Sequence, residues 1–145
     1  MPSIQPERIP MNASNMKILL VDDDLDLLFG PARVLAQAGF ETVTAQSGEA
    51  ALEIMRTDRP DLVLLDWDMP VMDGMEVCRR IRADPAYDAV LVVFFSGVYT
   101  LPGSQAAVMQ HGADGYITRP IGNHDLVEQI RKFGRMDVSS RSIER

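Results

Sequence analysis

Three continuous apolar runs and two weaker ones set the rhythm of the chain. Lys17-Ile18-Leu19-Leu20-Val21, Leu62-Val63-Leu64-Leu65 and Val90-Leu91-Val92-Val93-Phe94-Phe95 each end abruptly, at Asp22, Asp66 and Ser96. Apolar runs of this length, bounded by turn residues, read as strands buried on both faces. Phe40-Glu41-Thr42-Val43-Thr44-Ala45 alternates, as a half-exposed strand does, and Tyr116-Ile117-Thr118 is a short fifth candidate. Between them the period changes to that of helices. Leu27, Leu28, Val34, Leu35 and Ala38 recur at helical spacing, and Gly39 closes that helix. Gly30-Pro31 interrupts it and predicts a bend or a late helix start, because proline removes a backbone donor. A second helix opens at Ser47-Gly48, turns Ala51, Ile54 and Met55 inward, and ends at Arg59-Pro60. A third starts at Gly74, with Val77, Cys78 and Ile81 facing in and Glu76, Arg79, Arg80 and Arg82 facing water. A short helix over residues 104–111 and a last one over 123–133, burying Leu126, Ile130 and Phe133, complete the pattern.

Strand and helix therefore alternate five times. Such alternation predicts a parallel sheet with right-handed crossovers and helices on both faces. The continuously apolar first, third and fourth strands belong in the middle; the alternating second and the short fifth belong at the edges. The α/β, flavodoxin-like order 2-1-3-4-5, a (βα)5 three-layer sandwich, meets these conditions and is taken from that known topology rather than derived from the pattern. Residues 16–134 form the predicted domain, residues 1–15 a flexible leader, and residues 135–145 a polar tail or linker stub.

At 145 residues the chain suits one domain. A net charge of −7 argues against general binding to nucleic acid or membrane surfaces. Cys78 is the only cysteine, which leaves no internal disulfide and points to a reducing, cytoplasmic setting. The longest apolar run, residues 89–95, is too short to span a bilayer.

In a parallel sheet all carboxyl ends face one way. Strand one delivers Asp22 and Asp23, strand three Asp66, strand four Ser96 and strand five Arg119. Two carboxylates about 4 Å apart repel by about 4 kcal/mol at an effective dielectric near 20. Such a cluster must protonate or bind cations. With only oxygen ligands it selects a hard ion such as Mg²⁺, whose preferred chemistry is that of phosphoryl groups. Asp66 is then the natural nucleophile, forming an acyl phosphate. Ser96 can donate to the new phosphate and Arg119 can pair with it.

Taken together, Val21-Asp22-Asp23-Asp24, the stretch Leu65-Asp66-Trp67-Asp68-Met69-Pro70-Val71-Met72-Asp73-Gly74, Ser96-Gly97, and Gly112-Ala113-Asp114-Gly115-Tyr116 closely resemble a response-regulator receiver domain of two-component signalling. The resemblance spans residues 16–133. It implies that Asp66 is the phosphoacceptor, that Asp23 and Asp66 bind Mg²⁺ directly, that Asp22 helps through water, and that the backbone carbonyl of Asp68 is a further ligand. It also implies switch roles for Ser96 and Tyr116. The donor would be a sensor histidine kinase or phosphotransfer protein, with acyl phosphates as substitutes. The output face would be built from the fourth helix, fifth strand and last helix, which also serve homodimers in the family. Two features depart from the pattern. The family carries Lys where this chain has Arg119, and the loop over residues 97–103 is about one residue longer, holding Pro102-Gly103.

Blander roles suit several neighbours. Asp24 and Asp26 read as helix-start acids, and Asp73 with Gly74 as a cap. Cys78 reads as core, His111 and His124 as surface, and Trp67 as a ring over the site mouth. Two other functions compete: a receiver that only docks, phosphorylation having been lost through Arg119, and an Asp-x-Asp phosphatase of the haloacid-dehalogenase type built on Asp66 and Asp68. The phosphatase motif normally lies near the start of a longer chain, whereas here a full βαβα precedes it.

Overall fold

A computed structural model describes residues 16–97 and 109–136. The predicted leader, most of the 104–111 helix, the 97–103 loop beyond Gly97 and nearly all of the polar tail lie outside the described residues. Five strands, β1 (Lys17–Val21), β2 (Glu41–Ala45), β3 (Leu62–Leu65), β4 (Leu91–Gly97) and β5 (Gly115–Arg119), form one parallel sheet in the order β2-β1-β3-β4-β5. Four α-helices are described: α1 (Leu25–Gln37), α2 (Gly48–Thr57), α3 (Gly74–Arg82) and α4 (Asn123–Gly134). This is the flavodoxin-like order expected from the known topology.

Two cores sort by the period-2 alternation of the strands. Leu19, Val21, Val63, Leu65, Val92 and Phe94 face α2 and α3, packing with Met55, Val77, Cys78 and Ile81. Ile18, Leu20, Leu62, Leu64, Val93 and Phe95 face α1 and α4, packing with Leu28, Leu35, Leu126 and Ile130. Both faces of β1, β3 and β4 are covered, which is why their sequences are continuously apolar. β2 is an edge strand, exposed at Glu41 and half-buried at Thr42 to Thr44. β5 is also an edge, but brevity does not mark it: it has five residues and the central β3 has four.

Side chains define the helix starts. Asp24 caps α1 by accepting from the N–H groups of Asp26 and Leu27, Ser47 caps α2 through Ala50 N–H, and Asp73 caps α3 through Glu76 N–H. Two expectations need correction. Gly30-Pro31 does not delay α1, which begins at Leu25 and runs through Pro31; the Asp24 cap nucleates the helix a full turn and more before the proline. Its buried stripe is Leu28, Ala32 and Leu35, and Leu27 is exposed. Arg82 does not face water. It is 3% exposed and donates to the carbonyls of Gly112, Tyr87 and Val90 and to Asp114, with Nη2–Oδ2 at 2.9 Å. Asp114 also accepts from Val92 N–H at 2.9 Å. The buried pair thus ties the end of α3 to the entrances of β4 and β5, and its charges are compensated by hydrogen bonds on every side.

Candidate functional site

The sheet register fixes the height of each site residue. Val21 pairs with Leu65, Leu65 with Phe94, and Phe94 with Tyr116. The ladder continues one residue past β1 and β3, through Asp22 N–H to Ala45 O at 3.1 Å and Asp66 N–H to Val21 O at 3.0 Å. Asp22 and Asp66 therefore stand side by side, just beyond the paired strands. The strand alternation, carried one step further, turns both toward the α1/α4 face, and Arg119, two residues past Ile117, falls on that face too. Asp22, Asp66 and Arg119 line a cleft of about 850 Å³ with Asp23, Leu27 of α1 and Leu126 of α4.

Oxygen atoms from Asp22, Asp23 and Asp66 lie within 4.8 Å of one another. Asp22 and Asp66 are buried and Asp23 is exposed. Three oxygen donors at this separation suit a hard divalent cation, and the exposed Asp23 leaves room for the waters that Mg²⁺ retains. The residues present thus fit the ion that the sequence resemblance implies.

Asp66 is the most closely held acid. Its Oδ1 accepts from Ser96 Oγ at 3.0 Å and from Arg119 Nη2 at 3.2 Å. Ser96 is fully buried and itself accepts from Trp67 N–H at 2.8 Å, so the hydroxyl is fixed from both sides. Burial above all, then the charge of Asp22, pushes the Asp66 carboxyl up to about 6; Ser96, Arg119 and the backbone N–H of Asp68 pull the other way. Arg119 reaches further, with Nη1 on Asp22 Oδ2 at 2.9 Å. Its guanidinium carbon lies 4.7 Å from the centre of the Phe95 ring.

Gly74 closes the far side. Its N–H donates to Trp67 O at 2.8 Å. A Cβ at this position would run into the Asp66 carbonyl, the Phe94 ring and the Cα of Trp67. Only glycine lets α3 start this close to the strand that carries Asp66. The intervening loop includes Val71, fully exposed with φ 69° and flanked by a hydrogen bond from Met72 N–H to Pro70 O, a tight γ-turn.

Sequence reasoning thus placed Asp22, Asp23, Asp66, Ser96 and Arg119 together, and the structure brings all five into contact or near-contact. Asp68 is exposed. Tyr116 stands apart from them, half-buried against the α2/α3 core. Trp67 also packs on that side, its ring tilted against Phe94 at 5.5 Å, rather than over the acids. Cys78 is buried, and His111 and His124 are exposed, as expected. Phe95, which supports Arg119, carries no mark of a site residue beyond its place one position before Ser96, on the same face as Asp66.

A sheet of this order, with an acid cluster at the carboxyl ends of its central strands, defines the receiver class of signalling domains. The model of the response regulator receiver domain family matches residues 18–131, and the chain belongs to that family. It is 36% identical over 121 residues to the DNA-binding response regulator MtrA of Mycobacterium tuberculosis (strain ATCC 25618 / H37Rv), covering 83% of this chain and 51% of that protein. The chain spans about half the length of the curated relatives it matches. Among solved structures, chemotaxis response regulator CheY4 of Vibrio cholerae superposes with a TM-score of 0.75 at 27% identity, covering 81% of this chain and 98% of that one. A CheY-like receiver domain protein from Methanospirillum hungatei JF-1 gives 0.70 at 28%, covering 81% and 92%. The protein is therefore a receiver domain of the response regulators of two-component systems. No helix among the described residues is long and apolar enough to cross a membrane.

Proposed function

We propose that this receiver is a cytoplasmic phosphoacceptor switch, with Asp66 taking the phosphoryl group from the phosphohistidine of a sensor histidine kinase or phosphotransfer protein. The observation that carries this reading is the convergence of three carboxylates within 4.8 Å, one of them bonded to both a buried hydroxyl and a guanidinium. An oxygen of the Asp66 carboxylate attacks phosphorus as the N–P bond breaks. The imidazole leaves with the electron pair and takes a proton, and an acyl phosphate remains on Asp66. Asp22, Asp23, Asp66 and the Asp68 carbonyl would hold Mg²⁺, which neutralises the charge gathering on the phosphoryl oxygens.

The chain's own groups do the rest. Ser96, held by Trp67 N–H, is aimed at the Asp66 oxygen where the phosphoryl group arrives. Arg119 supplies a fixed positive charge at the same atom. Ser96 and Tyr116 belong to neighbouring strands, so a phosphate drawing on Ser96 is transmitted to β5 and to the face beside it, where an output partner or a second receiver docks. The receiver performs no chemistry beyond its own phosphorylation and dephosphorylation, and the family assignment speaks against the phosphatase reading.

The test is incubation with acetyl phosphate and Mg²⁺ followed by intact mass. One added phosphoryl mass that disappears in Asp66→Asn is expected. No mass gain with acetyl phosphate or a phosphorylated histidine kinase would leave the receiver as a docking module only, with Arg119 locking the acids.

A further inference from the structure

Each oxygen of Asp22 already has a donor. Oδ1 accepts from Asp24 N–H at 2.9 Å, and Oδ2 from Arg119 Nη1 at 2.9 Å. At 3% exposure, this carboxylate meets little bulk water that could replace either. The other arm of Arg119, Nη2, is on Asp66 Oδ1 at 3.2 Å. The planar fork thus spans two acids of the cluster, which a lysine with its single ammonium at the same position cannot reproduce with two separate arms. Stacking on Phe95 at 4.7 Å holds the plane in place.

We propose that Arg119 is an internal cation that competes with the divalent ion for Asp22, so that loading the acid cluster requires one arm of the guanidinium to let go. The inference rests on the cation-binding reading of the acids given above. The ion and the guanidinium neutralise the same carboxylates, and at Asp22 Oδ2, where Nη1 already sits at 2.9 Å, the two positive charges repel each other. On loading, Nη1 leaves Asp22 while Nη2 and the Phe95 stack keep the group beside Asp66. The freed arm then faces the oxygens of an incoming phosphoryl group. Arg119 accordingly sets the metal-free state: it holds the two buried acids in place, at the expense of cation affinity.

The experiment is calorimetric titration of chelator-treated protein with Mg²⁺, comparing wild type, Arg119→Lys and Arg119→Met, with thermal melts of each in chelator and in saturating Mg²⁺. Arg119→Lys keeps the charge, so a pure long-range repulsion would leave affinity unchanged. Competition predicts that it binds Mg²⁺ about tenfold tighter, the factor set by one charge-assisted hydrogen bond no longer lost on loading. Arg119→Met binds tighter still. In chelator the wild type melts highest of the three, and saturating Mg²⁺ narrows that lead. Equal or weaker Mg²⁺ binding by Arg119→Lys, with the ion bound in both, overturns the competition and leaves the cation site standing. No Mg²⁺ binding in any of the three overturns the cation site itself, and the competition with it.

Discussion

The raised titration of Asp66 makes a prediction about stability that does not depend on phosphorylation. The carboxyl titrates at about 6 in the fold, against 3.8 unfolded, chiefly because it is buried and faces Asp22. The folded state therefore holds this proton more tightly than the unfolded chain does. Its contribution to stability is complete below 3.8 and is lost as pH rises through about 6. By linkage the ionised group costs the fold about 1 kcal/mol near pH 4.5 and about 3 kcal/mol near pH 7.5. Asp66→Asn keeps the shape and removes the ionisation. In chelator, the variant should be about 3 kcal/mol more stable than wild type near pH 7.5, and only about 1 kcal/mol more stable near pH 4.5. Taking the difference between the two proteins at each pH cancels the remaining acids. The assay is urea unfolding followed by Trp67 fluorescence and far-ultraviolet circular dichroism, with equal slopes required of the two proteins. Mg²⁺ should raise wild type toward the variant and leave the variant nearly unmoved. A variant that is no more stable than wild type near neutral pH, or a gap that ignores pH, would refute the argument that burial and Asp22 dominate over Arg119 and Ser96.

Gly74→Ala should lower stability by about 1–3 kcal/mol and slow phosphorylation by acetyl phosphate, because the new methyl meets the backbone at Asp66 and Trp67 rather than a flexible side-chain end; urea unfolding and mass kinetics check both. Asp114→Ala should lower stability by about 3–5 kcal/mol by leaving Arg82 charged and buried, while Arg82→Met combined with Asp114→Ala should cost clearly less than the sum of the single changes; a double-mutant cycle by chemical denaturation decides.

How much of this was legible in the sequence depends on what kind of signal each residue sends. The central strands and both cores followed from apolar runs, because burial on two faces writes itself directly into composition, whereas the full strand order came from a known topology. The acids were legible because each stands where an apolar run stops, and a parallel sheet brings such stops together. Arg82 was not, since a helical wheel sorted by polarity sends every arginine to water. The signal lies in spacing: Arg82 is four residues after Cys78 and next to Ile81, on the buried face, and Asp114 in the stretch 112–116 is the acid that meets it. The fork of Arg119 across two carboxylates was likewise out of reach. Sequence shows that a long cation replaces lysine, but which acids it spans depends on three-dimensional offsets between strands.

Those offsets give the site its logic. Asp22 and Asp66 stand one residue past the paired level of Val21 and Leu65, while Arg119 pairs with Gly97, three residues past Phe94 on that same level. Its strand is also separated from β3 by β4, and from β1 by both β4 and β3. Short acids close to the sheet and a long cation beyond it are therefore not interchangeable. An arginine moved inward would bury its charge among the central strands, and an aspartate moved out to position 119 could not reach back. The guanidinium closes over the acids from outside, and Phe95 occupies the step between, so the cleft can be opened from the solvent side without disturbing the strands below. A ligand that displaced one arm of Arg119 would thus meet a rearranging side chain rather than a rearranging sheet.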